Sequence, residues 1–353
     1  MRGAKMSKLF RFIAGSILIP VLLCSCVKRE MTQTENAELV KKIQSINDNI
    51  ASENYDSIEK EANAILSFCQ KVKPDDIIRY AVSFAKNMRG YCFFQRGEKS
   101  VAEKLYIEAL KEADLIAGNR TYRIHVKSRI YLNLIMLHNK KSPKQEDILT
   151  QWGSLFQEPL VCSDCDDFLV SREIILMYYG IFASIKANCL MVQKKWDDAE
   201  QFINNALITI SKYNPEAEKE YSWVMLLYDD LVKIYQKKNN MRQMHYWMKK
   251  CFLLAEKWNL FPENSFLVLI EQYLKNGQYP DAVEYCKKGL ALCEKDSHAI
   301  RTREKIILLI LLAEAYHKSG NPEDAKTALS QAEGMTPPPE LSSKIQGLRK
   351  RLH

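Results

Sequence analysis

The sequence predicts an all-α protein, an α-solenoid of about seven helical hairpins with a C-terminal capping helix. Three observations support this class. From Asn36 onward there is no strand-like alternation, and apolar residues follow a helical spacing within segments rich in Leu, Ala, Lys and Glu. Helix-breaking residues recur at regular intervals and leave only short connections. One pattern of small and large apolar residues also recurs along the chain, which is typical of stacked hairpins.

The first segment, residues 1–25, has the pattern of a signal peptide. Arg2, Lys5, Lys8 and Arg11 precede an apolar run over residues 12–23, with no acidic residue among them. A helix as long as this run reaches only about 18 Å, whereas the hydrocarbon of a bilayer is about 30 Å thick. We therefore expect a secretory signal that is excluded from the fold.

The end of this segment, Leu23-Cys24-Ser25-Cys26, resembles the lipobox of bacterial lipoproteins. In that family the last cysteine receives a diacylglyceryl thioether and becomes the mature N-terminus. The small Ser25 precedes Cys26, whereas the bulky Leu23 precedes Cys24, so the resemblance implies lipidation of Cys26. Residues 26–35 would then form a lipidated tether, and two acyl chains suffice for stable anchoring. Ordinary signal cleavage is the alternative, because signal peptidases also favour small residues at the cut.

The lipobox resemblance also implies a location. A lipidated protein of this type is anchored to the bacterial cell envelope, and we expect the outer membrane, with the periplasmic or surface-facing side left open. Without the four basic residues of the signal peptide, the formal charge falls from +8 to +4. Secretion and the lack of a basic stripe with interleaved aromatic residues both argue against a nucleic-acid partner.

Residues 36–336 contain the repeated pattern. The stretches "NGQYPDAVEYCKKGLAL" (276–292) and "SGNPEDAKTALSQAEGMTP" (319–337) place glycine, alanine and larger apolar residues at matching offsets. The position of Ala282 in this pattern is occupied elsewhere by Ala102, Ala199, Met244 and Ala325. These stretches resemble the tetratricopeptide repeat, in which small residues lie where the two helices of a hairpin approach closely. The resemblance further implies a degenerate first repeat at 54–66, a divergent pair at about 119–157 and a capping helix within 337–353.

Two groups of sulfur-containing residues have the composition of a redox or metal site. Cys162 and Cys165 form a CxxC just before a helix, but there is no second CxxC for zinc, and neighbouring aspartates oppose thiolate formation. A local disulfide or free thiols are the alternatives to a redox or metal role, and the other cysteines are expected to be small core residues.

The second group is a soft-metal pattern formed by Met241, Met244, His245, Met248 and Cys251. Four of these residues fall on repeat positions that core packing explains, so we predict no metal site. The sequence also lacks the nucleotide-binding, metalloprotease and serine-hydrolase motifs, which favours a protein with no cofactor and no catalytic activity.

Stacked hairpins expose a long surface that can hold a peptide or a partner helix. The repeat resemblance places the residues of that groove on the first helix of each hairpin. The predicted partner contacts are Asn87, Tyr91, Asn188, Asp229, Lys233, Glu271 and Glu314. This mixture differs from the Lys/Asn carboxylate clamp of chaperone-binding members, so no specificity for C-terminal peptides is carried over.

These observations predict a lipid-anchored, non-catalytic scaffold of the bacterial cell envelope that binds a protein or peptide. Two alternatives remain open at this point. A glycan-binding envelope lipoprotein would need exposed aromatic platforms, for which Trp152, Trp223 and Trp258 are the candidates. A sensor repeat domain that acts on a separate regulator is the other.

Overall fold

A computed structural model describes residues 32–138, 142–157, 169–217, 221–295 and 302–352. The signal peptide, the lipidation site Cys26, most of the tether, and the CxxC of Cys162 and Cys165 lie outside these residues. Within the described ranges every regular element is a helix, which confirms the all-α class.

The described residues contain fifteen α-helices in seven consecutive pairs followed by a single helix. We call the odd-numbered members α1 to α13 the first helices and the even-numbered members α2 to α14 the second helices. The bounds are α1 Gln33–Ala51, α2 Tyr55–Cys69, α3 Asp76–Gln95, α4 Lys99–Asp114, α5 Arg120–Leu137, α6 Pro143–Ser154, α7 Leu169–Val192, α8 Trp196–Tyr213, α9 Val224–Lys237, α10 Met241–Trp258, α11 Glu263–Lys275, α12 Tyr279–Lys295, α13 Thr302–Lys318, α14 Pro322–Gly334 and α15 Pro339–Arg349.

The chain divides into two compact units, Met1–Phe182 and Ala183–His353, and the division falls inside α7. In the first unit the consecutive helices α1 to α6 pack on one another in chain order, and α3 also contacts α1 and α5. In the second unit α9, α11, α13 and α15 pack in series, with the second helices alongside. Contacts between successive hairpins through their first helices are the packing of a helical-repeat fold.

The turn inside each hairpin is the local feature that repeats most closely. In six of the pairs the turn contains one residue with φ between 54° and 86°, at Glu53, Gly97, Lys194, Asn239, Gly277 and Gly320. The residue that follows donates its N–H to a first-helix carbonyl five positions earlier, as Gln278 does to Tyr273 at 2.9 Å. This left-handed cap satisfies carbonyls at the end of the first helix and starts the second helix at a fixed position.

The shared turn confirms the predicted repeat register. Ala102, Ala199, Met244, Ala282 and Ala325 are all fully buried. Each donates its backbone N–H to the carbonyl of the residue that follows the left-handed position. Ile58 occupies the same place in α2, which agrees with the degenerate first repeat, and α5 with α6 forms the divergent pair expected near 119–157.

Two helices of the first unit, α3 and α4, approach each other closely at Gly90 of α3. A β-carbon at this position would lie 2.6 Å from Cε1 of Tyr106 and 3.2 Å from the carbonyl oxygen of Ala102, both on α4. Only a residue without a side chain fits this contact. The glycine therefore fixes how deeply the Tyr106 ring enters the hairpin.

The cysteines of the described residues are mainly packing residues, as predicted. Five of the six are buried, and none of the six is in a disulfide. Burial raises the pKa of Cys69 and of Cys92 to about 12. Their thiols therefore stay protonated near neutral pH and are poor nucleophiles.

One described helix is long and apolar enough to cross a bilayer. It is the stretch Glu173–Val192 of α7, and more than half of it is buried inside the protein. A core helix of a folded protein has the same length, apolar composition and extensive burial, so these properties of α7 do not by themselves indicate a membrane span.

Candidate functional site

The first-helix face of unit one is buried, contrary to what an open groove requires. Asn87 of α3 is fully buried, and its Oδ1 accepts a hydrogen bond from Nδ2 of Asn133 on α5 at 2.9 Å. Tyr91 is also buried, with its ring edge-on to Tyr55 at 6.0 Å. The expectation that these two residues line a partner groove is corrected, because both side chains join neighbouring hairpins.

A buried polar centre explains why this face is closed. Arg129 of α5 is only 3 % exposed, and its guanidinium donates to Oδ1 of Asn47 on α1 at 3.3 Å and lies 4.9 Å from the ring centre of Phe84. The hydroxyl of Tyr80 is 2.9 Å from Nδ1 of His125. Burial, and then the charge of Arg129, lowers the pKa of His125 to about 3, so the imidazole is neutral near physiological pH.

In unit two, some of the predicted residues do converge. Asn188 of α7 donates from Nδ2 to both carboxylate oxygens of Asp230 on α9 at 3.0 Å, and Ser184 donates to Oδ2 at 2.5 Å. The ammonium of Lys233 lies 3.7 Å from Oδ1. Burial raises the pKa of Asp230, while Lys233 and the hydrogen bonds oppose that rise. The centre of this cluster is Asp230, the neighbour of the predicted Asp229.

The remaining predicted residues have separate surroundings. Oδ1 of Asp229 accepts from the backbone N–H and the hydroxyl of Ser265 at 2.7 and 2.6 Å, so it stabilises the first turn of α11. Glu271 is exposed on α11. Glu314 pairs with Lys318 on its own helix at 2.9 Å. The structure therefore brings together Asn188 and Lys233, but not Asp229, Glu271 and Glu314.

The tryptophans proposed as glycan platforms are mostly internal. Trp152 is fully buried, and its Nε1 donates to Oγ of Ser128 at 3.0 Å. Trp223 is also buried, whereas Trp258 is 42 % exposed. Two of the three predicted platforms are therefore core residues.

The sulfur-rich stretch of α10 has a packing role. Met244, Met248 and Cys251 are buried, whereas His245 is exposed. Within the part of the chain that the structure describes, no group of three or more His, Cys, Asp or Glu residues could hold a metal ion.

A concave site that the sequence reasoning missed lies in unit two, between α10, α11 and α12. We call it the α10–α12 cavity, and its volume is about 650 Å³. Two second helices form its walls, and α11 contributes to its base. Its lining comprises His245, Met248, Lys249, Phe252, Leu253, Glu256, Phe266, Leu269, Tyr273, Tyr285, Lys288, Ala291, Leu292 and Lys295.

Aromatic rings form the base of the α10–α12 cavity. The ring centre of Phe252 lies 4.6 Å from that of Phe266 and 5.6 Å from that of Tyr285. Tyr273 extends the cluster, with its ring centre 5.5 Å from that of Tyr285. Phe266 is buried, but Phe252, Tyr273 and Tyr285 keep part of their surface open. Tilted rings at these distances support one another and leave ring faces and edges available for contact.

The wall from α10 follows from helical periodicity. His245, Lys249, Phe252 and Glu256 recur at three- and four-residue intervals, so they share one face of the helix. Leu253 stands beside this face and is 61 % exposed. Its side chain therefore continues the apolar surface of the cavity toward solvent.

The rim of the cavity is more basic than acidic. Three lysines, Lys249, Lys288 and Lys295, line it together with one carboxylate, Glu256. The ammonium of Lys288 lies 2.7 Å from Glu284 and 5.0 Å from the ring centre of Tyr285. Its hydrogen bond to Glu284 raises the pKa of Lys288, so this side chain stays positive near neutral pH.

Comparisons with known proteins leave the function open. No model of a known family matches the chain, and no curated protein matches it. Among solved structures, the crystal structure of BtubC (BKLC) from P. vanneervenii is 14% identical, with a TM-score of 0.37, and the match covers 84% of this chain and 91% of that one. A Rap protein complexed with Competence and Sporulation Factor is 13% identical, with a TM-score of 0.48, and the match covers 92% of this chain and 89% of that one. At such values neither likeness carries a functional argument.

Proposed function

We propose that this protein is a non-catalytic helical-repeat scaffold that binds a protein or peptide partner in the α10–α12 cavity and is held at the bacterial cell envelope by a lipid on Cys26. The observation that carries the binding proposal is the cavity itself, a space of about 650 Å³ with an aromatic base and a strongly exposed leucine at its edge. Cavities of roughly 300 to 1,000 Å³ lined mainly by apolar groups are the usual binding sites of proteins.

The shape of the site favours a peptide or a partner helix. The lining residues extend from His245 to Glu256 on α10 and from Tyr285 to Lys295 on α12, which is about three turns of each second helix. Grooves of this kind accept an amphipathic helix or an extended segment through apolar anchor residues. Phe252, Tyr273 and Tyr285 offer rigid contact area that loses little side-chain entropy on binding.

The composition of the site supports a non-catalytic role. Its lining includes His245 but no cysteine, serine or threonine that could act with this histidine as a nucleophile. The buried thiols at Cys69 and Cys92 stay protonated and belong to the other unit.

The anchoring proposal has a different basis. It follows from the lipobox resemblance at Cys26 and from the strength with which two acyl chains hold a protein at a membrane. An outer-membrane location is part of the same proposal. Of the alternatives, glycan binding is disfavoured by the burial of Trp152 and Trp223, and no described feature favours a sensor role.

Site-specific photo-crosslinking in cells tests the binding proposal. A photoreactive phenylalanine analogue at Leu253 should capture a protein partner that mass spectrometry identifies. The matched control is Ile208 of α8, which is 67 % exposed in the same unit but does not line the cavity. Adducts at position 253 that are absent at position 208 support the proposal. No adduct at 253, or the same adducts at both positions, would exclude the cavity as the partner site.

A further inference from the structure

We infer that the α10–α12 cavity selects a partner segment in which an aromatic or aliphatic anchor is flanked by carboxylates. This inference rests on the proposed function and adds the chemistry of the partner. It follows from the distribution of charge around the aromatic base, which the repeat resemblance does not supply.

Two rim lysines carry uncompensated charge. Lys249 and Lys295 are exposed, and within the described part of the chain neither has an ion-pair partner within 4.0 Å. Lys288 is already paired with Glu284, so its charge is partly satisfied. Among the described residues of the lining, Glu256 is the single carboxylate. A neutral or basic partner would leave the two free ammonium groups unpaired or repelled, whereas carboxylates would complement them.

The repeat register places these lysines toward opposite ends of the groove. Met244 of α10 and Ala282 of α12 are equivalent positions that follow the same kind of turn. Lys249 lies five residues after Met244 on α10, and Lys295 lies thirteen residues after Ala282 on α12. Because second helices of stacked hairpins run in the same direction, the two lysines are offset by about 12 Å along the groove.

The aromatic base fills the interval between the two charges. Phe252 lies eight residues after Met244 on α10. Along the groove it therefore falls between Lys249, at five residues, and Lys295, at thirteen. A helical segment that bears acidic residues about two turns apart, with an apolar side chain between them on the same face, matches this order. Lysine stems can also lie along ring surfaces while their ammonium groups reach a carboxylate, as Lys288 lies over Tyr285.

Selection from a random peptide library displayed on phage tests this chemistry. The bait is the purified full-length chain, as wild type and as the charge-reversal variant Lys249→Glu/Lys295→Glu. The wild type should enrich peptides with an aromatic or aliphatic residue flanked by Asp or Glu, and the variant should lose that acidic preference. Enrichment with no acidic bias, the same bias on both baits, or no enrichment at all would overturn the inference.

Two further variants locate the effect and measure it. Lys237→Glu/Lys344→Glu reverses two exposed lysines outside the cavity lining and should retain the wild-type preference. For a synthetic copy of the best peptide, Lys249→Gln/Lys295→Gln should weaken binding about fivefold, as expected for the loss of two solvent-exposed ion pairs. Phe252→Ala should weaken it as well, and unchanged binding in that variant would place the peptide elsewhere.

The outcomes separate this inference from the proposed function. A cellular partner crosslinked at Leu253 together with a library result without acidic bias would leave the partner site intact and reject only the charge selection. Acidic peptides that bind in the cavity without any cellular adduct at Leu253 would reject the proposed protein partner and retain the chemistry of the site.

Discussion

Replacement of Gly90 by alanine tests the packing of the repeat directly, because it adds one methyl group where α3 and α4 approach closely. The new β-carbon would lie 2.6 and 2.8 Å from two ring carbons of Tyr106. Unstrained carbon–carbon contacts are about 3.5 to 4.0 Å, and Tyr106 is fully buried, so its ring cannot move without displacing the surrounding core.

Two opposing effects determine how much Gly90→Ala changes the free energy of unfolding. Alanine is favoured over glycine inside a helix by about 1 kcal/mol, whereas overpacking a core costs about 1 to 3 kcal/mol. The contact at 2.6 Å is short enough to place Gly90→Ala toward the upper end of that range. We expect a net loss of about 1 to 2 kcal/mol, which for a unit of this size lowers the melting temperature by roughly 2 to 8 °C.

Two other glycines provide matched controls. At Gly347 in α15 a β-carbon would meet no atom within 4 Å, so Gly347→Ala should raise stability by about 0.5 to 1 kcal/mol. At Gly289 the nearest atoms, on Leu308 and Phe266, lie at 3.1 to 3.2 Å, and the two effects should nearly cancel. Melting followed by circular dichroism ranks the three variants, and fluorescence of Trp152, the only tryptophan before residue 183, reports on unit one. A rise in melting temperature for Gly90→Ala would refute the packing argument.

Three further predictions concern stability and anchoring. The pKa of His125 is lowered to about 3 in the folded chain, against a usual value of 6.5. Between these two pH values His125 is protonated in the unfolded chain but neutral in the folded chain. The free energy of unfolding should therefore decrease below about pH 6.5 by up to about 1.4 kcal/mol per pH unit. Urea titrations at several pH values should show that the free energy of unfolding of His125→Gln depends less on pH, and an equal pH dependence in the two proteins would contradict this. Ala199→Trp should lower the melting temperature, since this fully buried position cannot accept an indole, and an unchanged midpoint would mean that the register is wrong. Cys26→Ala should abolish fatty-acid labelling and membrane retention, whereas Cys24→Ala should leave both intact; a lipidated Cys26→Ala protein would refute the anchor.

The sequence by itself determined the hairpins and their register. Each turn is a short-range structure in which the cap, the left-handed residue and the small buried residue lie within about ten positions of one another. Local spacing was therefore enough to align Ala102, Ala199, Met244, Ala282 and Ala325, and all five are buried as expected. The same local spacing also predicted the degenerate first repeat, in which Ile58 takes the equivalent place.

Only the tertiary structure decided which helix faces stay open. Helical periodicity shows which side of a first helix meets its own partner, but the other side depends on hairpins far along the chain. Arg129 reaches Asn47 across 82 residues and closes the face on which Asn87 was expected to be accessible. The α10–α12 cavity could not be predicted from the sequence for the same reason. Phe252, Phe266 and Tyr285 lie on three different helices, and each has the sequence pattern of an ordinary core residue. Only the packing of these helices places the three rings around one cavity.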